Sequence, residues 1–561
     1  MVSPRLNRLS RRGLPLLAAV ALLTGTFVTS AQAASAAPAQ AAGVSYPTIN
    51  PDHIKVLKAV LANMQTNYAS FARSTPGPQD IFDYNIGNLW LKGIDGTGAT
   101  VAVIEGWDDP GIATYIHNQD LKYGLPDPDI ETIFPSGPLP AACPAGMVAL
   151  GSYGSCNAWV GELRLDVLTA HMIAPYAKII ISATPADSEI TDDAASNVAP
   201  PEMMHALEYI SANHVANVIS ISDGTGESTY SHGTPEILAN DPGELAAAAA
   251  GIPVMNATGD CGVVQNLAVA NAQCEDTSAM PDTATWDDSP WVTAVGGSVP
   301  NVSKTTGAKL GPDPLWHEGG IFSENAGFST IYQRPAYQDG VANITGSQFR
   351  SVPDITMDAQ SGTSEAAPMM AGVVALATQL NGGHNIGPIN PVLYDVLGPA
   401  GAKDGIADVV SGNDSVINPA TGQVEVPGFT AGPGFDVASG WGTVDASKFV
   451  PALAAATAGD NEEFAARFQA SRDLLALQRD VTLSTQTIQP GGTSTLSEGG
   501  FLPGHPVSLA IDGTAITTLT ASDTGTVSYV LDPAALGLKP GQHTLTLQSM
   551  LITPTATFYV R

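Results

Sequence analysis

Short, unbroken apolar runs alternate with helix-length stretches through the middle of the chain. ATVAVIEG (Ala99–Gly106), KIIISATPA (Lys178–Ala186), ANVISIS (Ala216–Ser222) and GIPVMNATG (Gly251–Gly259) are rich in β-branched residues. Each is predicted to be a strand buried on both faces. Between them Trp159–Ala174, Pro201–Asn213 and Gly243–Ala250 carry helical patterns. Repetition of strand and helix from Gly96 onward predicts an α/β domain, a parallel sheet with helices on both faces and catalytic groups at the carboxyl ends of its strands. Upstream, Ile54, Leu57, Val60, Leu61 and Met64 fall at helical spacing within Pro51–Tyr68. After Pro451 the pattern changes. Asp460–Gln478 reads as a helix with its acidic residues first, within a helical linker over 456–480. From Asp480 onward, VTLST, SLAID, TVSYVLD, HTLTLQS and TATFYVR alternate between Pro-Gly and Asp-Gly turns. That predicts a small C-terminal all-β, immunoglobulin-like sandwich over 481–561.

Composition narrows the function. The 561 residues carry 22 Lys+Arg against 53 Asp+Glu, a net charge of −31. Nucleic acid and anionic membranes both require basic patches, so neither is an expected partner. Residues 1–33 have the form of a secretory signal peptide: Arg5, Arg8, Arg11 and Arg12, an apolar run from Leu14 to Val28, then Ala31-Gln32-Ala33. Arg11-Arg12 leaves the export route open. The segment 34–74 begins as a low-complexity Ala/Pro stretch and is a candidate for removal. No other apolar run is long enough to span a bilayer, so a secreted, monomeric protein is expected. Four cysteines allow three disulfide connectivities. Cys143 with Cys156 and Cys261 with Cys274 each close a short loop, which favours local bridging.

The chemistry centres on Ser361-Gly362-Thr363-Ser364-Glu365-Ala366-Ala367-Pro368, ahead of an apolar run to Leu380 that reads as a buried helix. Ser364 is expected to cap that helix, where unpaired N–H groups favour negative charge on a nearby oxygen. In Gly161-Glu162-Leu163-Arg164-Leu165-Asp166 two carboxyls lie four residues apart. On a helix they share a face and, too close to ionise together, titrate as a unit. The octapeptide resembles the serine-nucleophile signature of subtilisin-like peptidases. Glu162 with Asp166, then Asp260, then Ser364, in that order, resembles the sedolisin, or serine-carboxyl peptidase, family, whose fold is subtilisin-like. Stretches such as Val218–Ser222, Ser289–Gly297, Gly327–Gln338 and Arg350–Asp354 extend the resemblance over about 75–455. It implies an acid endopeptidase or tripeptidyl peptidase acting on polypeptides. Glu162 would be general base, Asp166 its orienting partner, Asp260 the oxyanion donor and Ser364 the nucleophile. Asp260 suits that role only when protonated, since a carboxylate would repel the oxyanion. Glu105 matches a Glu that in some members extends the carboxyl chain, while the usual aromatic neighbour is here Asp223.

The same resemblance implies one structural Ca2+, held by Asp408, the Val409 carbonyl, Gly432, Gly434 and Asp436. Hard oxygen ligands on a Gly-rich turn suit that ion. Two features depart from the family: the segment Ile355–Gln360 is short, and 34–74 is too small for the usual prodomain. Two other readings follow from the residues. One is a Ser/His/Asp peptidase with His171 or His232 as base. The other is an inactive, peptidase-like surface protein whose sandwich binds a partner.

Overall fold

The computed structural model describes residues 49–71, 75–144, 155–184, 201–230, 234–238, 240–265, 274, 277–278, 280–457, 481–498, 506–522, 526–548 and 555–561. The signal segment, His232 and nearly all of the 456–480 linker therefore lie outside the described residues.

Seven parallel strands form the central sheet: β1 (Thr100–Glu105), β2 (Ile130–Ile133), β3 (Lys178–Ala183), β4 (Val218–Ile221), β5 (Val254–Ala257), β6 (Thr293–Ser298) and β7 (Ile355–Asp358), in the order β7-β6-β5-β4-β1-β3-β2. Alternate side chains enter different cores, as the period of two requires. Val101 and Val103 pack with Ile179, Ile181 and the helices Cys156–Ile173 and Thr363–Leu380. Ala102 and Ile104 pack instead with Ile180, Met203 and Leu207. Both faces are thus covered, which is why the strands read as continuous apolar runs.

The helices carrying the two halves of the sequence signature lie against each other. At Gly372 a Cβ would come 2.7 Å from Ile173 Cβ, so only glycine permits this approach. The N-terminal helix Pro51–Thr66, capped by Asn50, buries Leu57, Val60 and Met64 in the same core. His53 stacks on Tyr176 and lies 3.0 Å from Asp95.

Downstream, three strands (Thr482–Leu483, Ser494–Glu498, Val527–Leu531) form one sheet and five (Thr487–Ile488, Thr555–Val560, Gly541–Gln548, Pro506–Ile511, Thr514–Thr520) form another, each in the spatial order given. Leu496 and Leu531 from the first share a core with Leu509, Leu545 and Phe558 from the second. Both disulfides are local, Cys143–Cys156 and Cys261–Cys274. Among the described residues no helix is long and apolar enough to cross a membrane.

Candidate active site

Glu162 and Asp166 sit one turn apart on the Cys156–Ile173 helix, whose N-cap is Ser155 and whose first residue is held by the Cys143 disulfide. Asp166 is fully buried, and its Oδ2 accepts from Ser222 Oγ at 2.8 Å. Glu162 is half-buried and lies beside Ser364, whose hydroxyl favours the charged form of its carboxyl. Glu162 Oε1 and Asp166 Oδ1 are both buried with no donor in reach. Arg164 leaves the pair unneutralised, since its Nε goes to Asp109 Oδ2 at 2.7 Å.

Ser364 is the second residue of its helix and not the cap. The cap is Gly362, at φ 87°, where a Cβ would lie 2.7 Å from Asp260 Oδ2. A side chain at the cap is therefore excluded, and the helix begins one residue before Ser364. In a regular helix the carbonyl of Ser364 would accept from the N–H of residue 368. Pro368 has none. Ser222 Oγ lies in its place, 3.2 Å from the Ser364 carbonyl and 2.8 Å from Asp166 Oδ2, so its one proton is shared between the two.

Asp260 follows β5 and is fixed by the residue preceding Ser364. Its Oδ1 accepts from Thr363 N at 2.8 Å and Thr363 Oγ1 at 2.9 Å, while that same Oγ1 accepts from Gly259 N at 3.0 Å. Ser364, Asp260, Ser222 and Asp223 line one cleft, open to solvent, with Gly224, Thr225 and Gln265. The cleft lies beyond the carboxyl ends of β4 and β5, where open α/β sheets place their sites.

Burial dominates the electrostatics. It raises Asp166 well above the usual carboxylate range, with the Glu162 charge adding and the Ser222 hydrogen bond opposing. Glu105, at the end of β1, is raised by burial and then by Asp166, Glu162 and Asp223. Burial also raises Asp223 well above its ordinary value. Glu162 is pushed up to about 7, again by burial first, with the Ser364 hydrogen bond holding it down. Such a set keeps some of its protons at acid pH and gives up the most accessible one first.

The other predicted ligands also come together. Asp408 Oδ2 accepts from Gly434 N, and Asp436 Oδ2 from Gly432 N, both at 2.8 Å. Val409 is buried, and Asp408 Oδ1 is buried with no donor. An orphaned carboxylate oxygen over a Gly-rich turn of carbonyls fits a hard cation.

His171 is not part of the cleft. Nine residues beyond Glu162, it lies about half a turn round the helix. Its Nε2 is 3.1 Å from Asp120 Oδ1. Sequence reasoning missed the bridging role of Ser222 and the clamp from Thr363. The one signal for the first was Pro368, which deprives a nearby carbonyl of its partner.

No protein-family model matches the chain. Kumamolisin from Bacillus sp. (strain MN-32) is 26% identical over 392 residues, 64% of this chain and 61% of kumamolisin. Tripeptidyl-peptidase 1 of Mus musculus is 30% identical over 186 residues, 28% of this chain and 30% of the relative. The chain thus spans less than two thirds of the length of either. Among solved structures, Pseudomonas sedolisin (serine-carboxyl proteinase), complexed with two molecules of pseudo-iodotyrostatin, matches with a TM-score of 0.52 at 21% identity. That match covers 64% of this chain and 94% of sedolisin. The homologues are sedolisin-family proteins, and the α/β domain has the sedolisin-like fold.

Proposed function

We propose that this chain is a serine-carboxyl peptidase hydrolysing polypeptides through an acyl-enzyme on Ser364. The observation that carries the reading is the placing of Ser364 in one cleft with Asp260 and beside the buried carboxyl of Glu162. Ser364 Oγ attacks the peptide carbonyl as Glu162 takes its proton. The carbonyl oxygen becomes an oxyanion, and Asp260 in its acid form donates to it. Because Asp260 Oδ1 already accepts two hydrogen bonds, the donated proton belongs on Oδ2. Glu162 then protonates the leaving amine, and water repeats the sequence in reverse to free the acid. Asp166 works through Glu162: the donorless oxygens of the two are where a shared proton would sit. Glu105 and Asp223 lengthen the same carboxyl set.

The kinship with kumamolisin and tripeptidyl-peptidase 1 supports this reading. A Ser/His/Asp mechanism finds no support in His171, which is committed to Asp120. Purified protein should cleave denatured casein, with activity that rises with pH as Glu162 ionises and that does not depend on His171. Glu162→Gln and Ser364→Ala should each abolish turnover while leaving the circular dichroism unchanged. Activity retained in Glu162→Gln and lost in His171→Ala would overturn the proposal.

Asp408, Val409, Gly432, Gly434 and Asp436 would hold one Ca2+, which supplies rigidity and takes no part in bond cleavage. The leader at 1–33 and the two disulfides favour secretion. Counted along the chain, the C-terminal strands occupy one sheet as first, third and sixth, and the other as second, eighth, seventh, fourth and fifth. This exchange between sheets supports an immunoglobulin-like sandwich.

A further inference from the structure

A second set of carboxyls lies next to the nucleophile and takes no part in the chemistry above. Asp80, on the short helix Pro78–Asp83, meets Asp358, the last residue of β7, and Glu365, which follows Ser364. All three are fully buried, and their nearest ligand oxygens lie within 4.8 Å of one another. Asp80 Oδ2 accepts from Gly77 N at 2.8 Å and Glu365 Oε2 from Ser361 N at 3.0 Å. Asp358 accepts from Gln360 N at 3.1 Å and Gln360 Nε2 at 3.0 Å. No donor reaches Asp80 Oδ1 or Glu365 Oε1. The Tyr68 and Tyr84 hydroxyls are likewise buried without a partner, and both lie in the field of Asp80 and Asp358.

Three buried carboxyls cannot stand ionised and unpaired in an interior, so each must hold a proton or share a cation. Among the described residues no basic side chain pairs with them: the neighbouring Lys309 is held by Asp83 and Asp313, at 2.7 Å each. We propose that Asp80, Asp358 and Glu365 form a second cation site, taking a hard divalent ion such as Ca2+ once the carboxyls are ionised. All-oxygen ligands and a buried excess of negative charge select such an ion. The ion would tie the Pro78–Asp83 helix to the segment 358–365 that carries Ser364. At acid pH protons would replace it.

The test is equilibrium dialysis against Ca2+ at about pH 7 with elemental analysis, beside melting curves with and without chelator. Glu365→Gln should bind one ion fewer than the wild type and lose part of the chelator-dependent fall in Tm. Asp358→Asn should do the same and serves if the first variant fails to fold. Asp436→Ala reports on the Gly432–Asp436 site separately, so failure of either site is distinguishable from failure of the other. It should retain an ion that Glu365→Gln removes. Equal binding by wild type and Glu365→Gln, or no ion in folded Asp436→Ala, would mean that protons alone occupy the cluster and would overturn the proposal.

Discussion

At the scale of single residues, the proposed reaction places opposite demands on two carboxyls: Asp260 must donate a hydrogen bond while Glu162 accepts a proton. With Glu162 pushed up to about 7, activity should rise with pH as Glu162 ionises, and a profile without that limb would remove it as the base. Asp260→Asn retains a hydrogen-bond donor. Its kcat/KM should drop only modestly. Complete loss of activity in the folded variant would argue against Asp260 as the oxyanion donor. Ser222→Ala should lower kcat by roughly tenfold, the equivalent of one or two hydrogen bonds to a charged network, because Pro368 offers the Ser364 carbonyl no N–H in compensation. A variant with wild-type kcat would argue against the bridge. The Glu162–Asp166 pair and the Ser361–Pro368 stretch could be singled out in the sequence because helical spacing and a compact signature carry their information locally, whereas Asp260 was singled out only by the resemblance. Ser222 and the Asp80–Asp358–Glu365 cluster were not. Their partners are set by strand order, which no local pattern encodes.

At the scale of elements, four of the seven sheet strands were predicted from apolar runs. The three missed have physical reasons. Ile130–Ile133 is an edge strand broken by Glu131, Thr293–Ser298 contains Gly296 and Gly297, and Ile355–Asp358 is only four residues long and ends on a carboxyl. The glycines of Thr293–Ser298 answer to close neighbours: a Cβ at Gly297 would sit 2.6 Å from Ala359 Cβ. The Cys261–Cys274 bridge spans 13 residues and starts next to Asp260. Replacing both cysteines with Ser should cost about 3 kcal/mol, seen as a lower denaturant midpoint, and on the proposed mechanism should reduce kcat more than it raises KM, since Cys261 adjoins Asp260. A chelator should likewise lower Tm in wild type, and Asp436→Ala should remove the portion due to the Gly432–Asp436 turn.

At the scale of the whole molecule, buried acid is the dominant feature. Beyond the two clusters already described, burial lifts Asp282 to about 6 and Glu208 and Asp83 to about 8. For Asp83 the Asp313 charge adds and Lys309 opposes. Each folded-state value stands above the unfolded one, so the folded form binds more protons. Stability is complete below the unfolded values near pH 4 and is lost as pH climbs through the folded ones. Scanning calorimetry should show Tm falling steadily from about pH 5 to 8, with Ca2+ offsetting part of the loss. A flat Tm would contradict the burial. The same feature governs how the chain folds in the first place. An unfolded chain in neutral solution carries these side chains ionised, and a transition state that buries most of the native surface must collect their protons on the way. Refolding from denaturant should therefore quicken as the solution is acidified, so that proton supply sets the pace of folding before it ever sets the pace of catalysis.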